Sequence, residues 1–107
     1  MSKISKIEKL PRQPGKATGV ANAFAFLTAD HEAGMRAGIS EIAPGEVDFE
    51  LPFDEGIFVV EGELEIDGDG ATHVIAVGEF LWMPGGRRIV YRAKTPTRFL
   101  YMIPTHG

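Results

Sequence analysis

The stretch FDEGIFVVEGELEIDGDG, residues 53–70, places Asp54, Glu55, Glu61, Glu63 and Glu65 among Ile57, Phe58, Val59, Val60, Leu64 and Ile66. Two short apolar runs parted by Glu61-Gly62 and closed by an Asp-Gly-Asp-Gly turn read as a buried β-hairpin. An apolar interior expels ionised acids, because desolvating one costs several kcal/mol even after relaxation. Some of these acids must therefore be solvated, and any that point inward line a cavity. Strand alternation puts Glu55 on the face of Ile57 and Val59, with Phe58 and Val60 on the other. Glu61, Glu63 and Glu65 recur at period two and read as a solvated face that discourages edge pairing.

Working outward, turn formers recur on a short beat: Ala43-Pro44-Gly45, Asp67 to Gly70, Gly78, Pro84-Gly85-Gly86 and Thr95-Pro96. The segments between them are too short for typical helices, and no apolar stripe of period 3.6 lasts three turns. The spacing predicts strands over 57–60, 64–66, 73–77, 80–83, 88–91 and 98–103, with a further strand over 18–27. Short strands without helices predict an all-β sandwich or barrel. Residues 1–16, with Pro11, Pro14 and Gly15, read as an extended N-terminal arm, and residues 17–107 as one domain. Apolar residues on both faces of a strand imply that part of the outside is covered. A second copy of the chain is the simplest cover, so a homodimer is expected.

A chain of 107 residues supports one modest core. The net charge of −4, from 11 basic and 15 acidic residues, argues against a nucleic-acid partner, which requires a basic face. Arg87, Arg88 and Arg92 read as a solvated strand edge. With no cysteine there is no thiolate nucleophile, disulfide or zinc–thiolate site. No apolar run approaches the roughly 18 residues of a membrane span, and MSKISKIEKL lacks the apolar core of a signal peptide. The expectation is a cytoplasmic protein with no membrane partner.

The segment GEFLWMPGG, residues 78–86, spaces glycine, five residues, proline, one residue and glycine; upstream, Glu55 precedes Gly62 by six intervening residues. These spacings, in this order, resemble the two signature motifs of the cupin superfamily. The stretch from Phe53-Asp54-Glu55 through VVEGELEI, MPGG and TPTRFLYMIP is similar to the cupin of the ethanolamine-utilisation EutQ family and its small single-domain relatives. The resemblance covers residues 18–104. It implies a jelly-roll barrel whose mouth holds the functional site.

Many cupins hold a transition metal through three His and a Glu. By the superfamily spacing, the first-motif histidines would fall at Asp48 and Glu50, or at Phe49 and Leu51, and that of the second motif at Ile89. None of these is an imidazole. His31, His73 and His106 match no chelating pair and read as structural. Asp48, Glu50 and Glu55 form an oxygen set that suits Mg²⁺ at most, so no cofactor and no tightly bound transition metal are expected.

The candidate ligand-binding residues are Asp48, Glu50, Glu55 and Tyr91, with Glu55 the candidate catalytic residue. Clustered carboxylates repel one another and raise a pKa, which suits Glu55 to general acid–base work in a metal-independent isomerase, hydrolase or lyase. The same pocket, read without turnover, binds a small polar or cationic metabolite such as an amine. The resemblance also implies acetate kinase activity. Against it, no Gly-rich loop followed by Lys-Ser or Lys-Thr is present, and DGDG carries acids that repel a nucleotide. On the second-motif wall, Ile89 and Tyr91 should face inward, with Arg88, Val90 and Arg92 outward. Trp82 reads as core.

Overall fold

The quoted stretch does not fold back on itself. In the computed structural model, which describes residues 7–105, its two halves belong to different sheets. The first six residues and His106 lie outside the described residues. The strands are β1 Gln13–Thr18, β2 Ala21–Leu27, β3 Met35–Ile42, β4 Gly45–Leu51, β5 Glu55–Glu61, β6 Glu63–Gly68, β7 Ala71–Ala76, β8 Phe80–Met83, β9 Arg87–Ala93 and β10 Thr97–Pro104. One sheet has the order β1-β2-β3-β10-β5-β8 and the other β4-β9-β6-β7, all neighbours antiparallel. No helix occurs among the described residues.

Gly62 explains why the expected hairpin is a corner instead. Its φ is +79°, and a Cβ there would stand 2.6 Å from the Pro96 carbonyl oxygen and 2.5 Å from Thr97 Oγ1. A residue with a side chain cannot pass so close, so glycine lets the chain cross from one sheet to the other. The true hairpin lies one turn later. Asp69 and Gly70, at φ 54° and 76°, close β6 onto β7 in the left-handed geometry that such two-residue loops demand.

The inward residues of the two sheets meet in a single core. Leu51, Ile57, Val59 and Leu64 are fully buried there, with Ile66, Ile89 and Phe99 nearly so. Phe58 and Val60 keep 36% and 41% of their surface exposed, as two-faced β5 requires. Residues 18–27 are not one strand: the chain reverses at Gly19, whose φ is +58°, and β1 pairs with β2. The last four residues assigned to the arm are thus already part of the sheet. Trp82 is not core; it stands 50% exposed on the outer face, because Leu81 and Met83 take the inward positions of β8.

Candidate functional site

Two hydrogen bonds join the segments that carry the motifs. The Gly85 N–H donates to Asp54 Oδ1 at 2.9 Å and the Gly86 N–H donates to the Leu51 carbonyl at 2.7 Å. Gly85 lies flat on the backbone of Phe53, where a Cβ would come within 2.6 Å. The MPGG turn is thereby clamped to the start of β5, and Glu55, the first residue of that strand, is fixed on the inner face opposite Met83.

Glu55 opens onto a cavity of about 190 Å³. Tyr91 and Phe49 come from the four-stranded sheet, Arg36, Ser40, Phe99 and Tyr101 from β3 and β10, and Lys16 and Thr18 from β1. The cavity is smaller than the roughly 300–1,000 Å³ of drug-sized sites, which limits an occupant to a few heavy atoms. Its floor is aromatic: Tyr91 stacks on Phe99 at 5.8 Å between ring centres and lies 6.2 Å from Phe49. Gly38 makes room for the other phenol. A Cβ at Gly38 would stand 2.5 Å from the Tyr101 hydroxyl oxygen.

The Glu55 side chain is almost wholly buried, with 5% of its surface exposed, and no donor among the described residues hydrogen-bonds its carboxyl. Burial raises its pKa to about 7, against a smaller lowering by the charge of Arg36. Tyr91 is pushed above the ordinary phenol range, first by burial and then by the Glu55 charge, so it stays a neutral donor and acceptor. Tyr101 is raised as well, chiefly by burial. Arg36 makes no ion pair among the described residues, and its guanidinium lies over the Phe53 ring at 4.8 Å.

Of the four residues singled out from the sequence, Glu55 and Tyr91 meet at this cavity. Asp48 and Glu50 do not. On β4 the inward positions belong to Val47, Phe49 and Leu51, and the acids between them face solvent. There Arg88 donates to Asp48 Oδ1 at 3.0 Å and to Glu50 Oε1 at 3.4 Å. The pocket therefore holds one carboxyl, not three, and Glu55 is raised by desolvation rather than by like-charge repulsion. Arg92, also outward, is bound by Glu46 at 2.9 Å, Glu65 at 3.1 Å and Asp67 at 2.7 Å, which keeps it charged and lowers the Asp67 pKa. Arg36, Lys16, Ser40 and Tyr101 escaped the sequence reading. For Arg36 and Ser40 the signal was the period-two run Arg36, Gly38, Ser40, Ile42, in which a lone cation follows the phase of a core isoleucine.

A metal does not fit this donor set. Among the described residues no three His, Asp or Glu side chains converge as ligands do; Phe49 lines the cavity as a hydrocarbon, and Ile89, the second-motif position, is buried in the core outside the cavity lining. Glu55 alone offers one or two oxygens, far short of the coordination a divalent ion demands.

Two antiparallel sheets closed around a core, with a small, mainly apolar hollow that a single carboxyl faces, are the architecture of a cupin. The solved cupin_2 domain of an XRE-family transcriptional regulator from Enterobacter cloacae superposes with a TM-score of 0.70 over 83% of this chain and all of that one, at 19% identity. The model of the family described as ethanolamine utilisation protein EutQ matches residues 1–105, and the chain belongs to that family. A crystal structure of a putative ethanolamine utilization protein Q from Salmonella typhimurium LT2 gives a TM-score of 0.77 at 20% identity, covering 94% of this chain and 100% of that one. The relative from Clostridioides difficile strain 630 named acetate kinase EutQ is 26% identical over 94% of this chain, which spans 62% of that relative's length.

Proposed function

We propose that this EutQ-family cupin binds a small polar metabolite in the mouth cavity and that Glu55 exchanges a proton with it. The observation that carries the reading is a nearly buried carboxyl, poised near neutrality and without a hydrogen-bond donor, facing a hollow of small volume. Buried polar groups are ordinarily satisfied, so one left open toward a cavity is suited to a ligand. The ligand charge follows from the lining. Arg36 and Lys16 outweigh a single half-protonated acid, so a small carboxylate fits better than the amine expected from a pocket of three acids. Protonated Glu55 donates to such a ligand, Arg36 neutralises it, and the aromatic floor excludes water.

Calorimetric titration with acetate, ethanolamine and inorganic phosphate tests this reading. Acetate should bind, and more tightly at pH 6 than at pH 8, because the donor form of Glu55 is lost as pH rises through about 7. Glu55→Gln should flatten that pH dependence. Binding of ethanolamine in preference to acetate, or no heat from any of the three, overturns the assignment.

A second reading is phosphoryl transfer to acetate, after the name of the Clostridioides difficile relative. The cations of the cavity favour it; the Asp67–Gly70 turn does not, since it borders a different hollow and Asp67 is taken by Arg92. Mg²⁺-dependent ADP formation from ATP and acetate, lost in Glu55→Gln, would support this reading. Its absence alongside acetate binding leaves the protein a binder, or a metal-independent acid–base enzyme acting through Glu55.

A further inference from the structure

A second hollow, of about 130 Å³, shares no lining residue with the mouth cavity. It lies between the four-stranded sheet and β8, the edge strand of the other sheet. Glu55 and Met83 are paired across β5 and β8, yet Glu55 faces the first hollow and Met83 the second. A gap in an inward row makes the space. On β6 the inner face carries Leu64, Ile66 and then Gly68. A Cβ at Gly68 would meet only Ile89 Cγ2, at 3.2 Å, so the volume that a side chain would fill stands open.

Two nitrogen-bearing side chains border the gap in the same phase. His73 stands opposite Ile66 and Arg87 opposite Leu51, and directly opposed residues share a face, so both continue inner rows of buried hydrocarbons. Arg87 is therefore not the solvated strand edge expected of it alongside Arg88 and Arg92. Donors outnumber acceptors here. Arg87 donates from Nη1 to Asp69 Oδ2 in the β6–β7 turn, the one acid lining this hollow among the described residues. Its Nη2 has no acceptor there, and its Nε is buried without one. His73 has no hydrogen-bond partner among the described residues.

We infer that this hollow is a second ligand site, independent of the mouth cavity, for a small carboxylate whose apolar body is no larger than one ring. Unpaired donors require an oxygen anion, and a planar carboxylate matches the guanidinium fork. Asp69 is 62% exposed, and so open an ion pair contributes little, which leaves Arg87 able to turn toward a ligand. Ile66, Leu81, Met83 and Ile89 make much of the remaining lining. Such walls desolvate a compact anion like phosphate without compensation but take up hydrocarbon; an apolar cavity of about 150 Å³ holds benzene.

Benzoate is the probe. In the wild type it should shift the His73 ring resonances saturably and give nuclear Overhauser contacts from its ring protons to the Leu81 and Met83 methyls. Benzamide, its neutral isostere, should bind at least about tenfold more weakly, as should benzoate to Arg87→Gln, the scale of a hydrogen bond to a charged group. Gly68→Val, which fills the gap, should abolish the His73 shifts, whereas Glu55→Gln should leave them intact and so separate this site from the mouth cavity. The inference is overturned by a His73 ring that ignores benzoate, by benzamide binding as tightly, or by an equal response to inorganic phosphate. Overhauser contacts to Phe49 and Phe99 alone, or full affinity in a folded Arg87→Gln, would overturn it as well. Should a variant fail to fold, the wild-type contacts and the benzoate-to-benzamide ratio decide the matter.

Discussion

Glu55 binds its proton more tightly folded than unfolded, and this fixes how stability responds to pH. The unfolded carboxyl releases its proton near 4.5, whereas the buried one holds it to about 7. Between those values the native state carries the extra proton, so stability falls as pH rises through the window and stays at the lower level above it. The shift is worth about 3 kcal/mol. Urea unfolding at pH 5 and pH 8 should therefore differ by about that amount in the wild type and much less in Glu55→Gln, which carries no charge to bury. Equal pH slopes in the two proteins would mean that Glu55 is solvated. The inward phase of Glu55 was legible because Ile57 and Val59 share it. The cause of its raised pKa was not, since that depended on where Asp48 and Glu50 point.

At the scale of elements, legibility followed the strength of the alternation and of the turn chemistry. Strands β5 to β10 are rich in β-branched and aromatic residues and bounded by glycine or proline, and all six fall where the spacing predicts. Strands β1, β3 and β4 lack that signature. MRAGISEI of β3 holds a glycine and a serine in its interior, and QPGKAT of β1 contains proline and glycine that only an edge strand accepts. GEVDFEL of β4 does alternate, with Val47, Phe49 and Leu51 in phase; that phase already places Asp48 and Glu50 on the solvent side, against the motif spacing that carried them to the pocket. The clamp between Asp54 and Gly85 is likewise invisible in sequence, because its partners are far apart along the chain. Asp54→Ala should remove one hydrogen bond and cost about 1 kcal/mol, read as a lowered urea midpoint with an unchanged m-value.

For the whole molecule, stability resides in the single core between the sheets, and substitutions sort by which side of a strand they strike. Leu64, fully buried, should lose roughly 2–5 kcal/mol on replacement by alanine, the transfer term adding to a cavity that rigid sheets close poorly. Val74, 55% exposed on the adjoining strand, should change by less than about 0.5 kcal/mol. Thermal melts of the two variants measure the contrast, and comparable losses would show that the outer side of β7 is covered in solution. The corner at Gly62 belongs to this scale too. It separates what reads as one hairpin into members of both sheets and so decides the topology, although the glycine itself looks like any turn residue until Pro96 and Thr97 are known to lie beneath it.

Glu55 and Gly56 are neighbours on the chain, yet one serves the interior and the other seats Phe80 and Trp82 outside. Sliding β5 by a single position would swap them, throwing an acid under two aromatic rings and leaving the hollow without its carboxyl. Length changes within this strand are therefore ruinous. Related chains that retain both properties must preserve the parity of residues between the Asp54 anchor and the Gly62 corner, whatever else they alter.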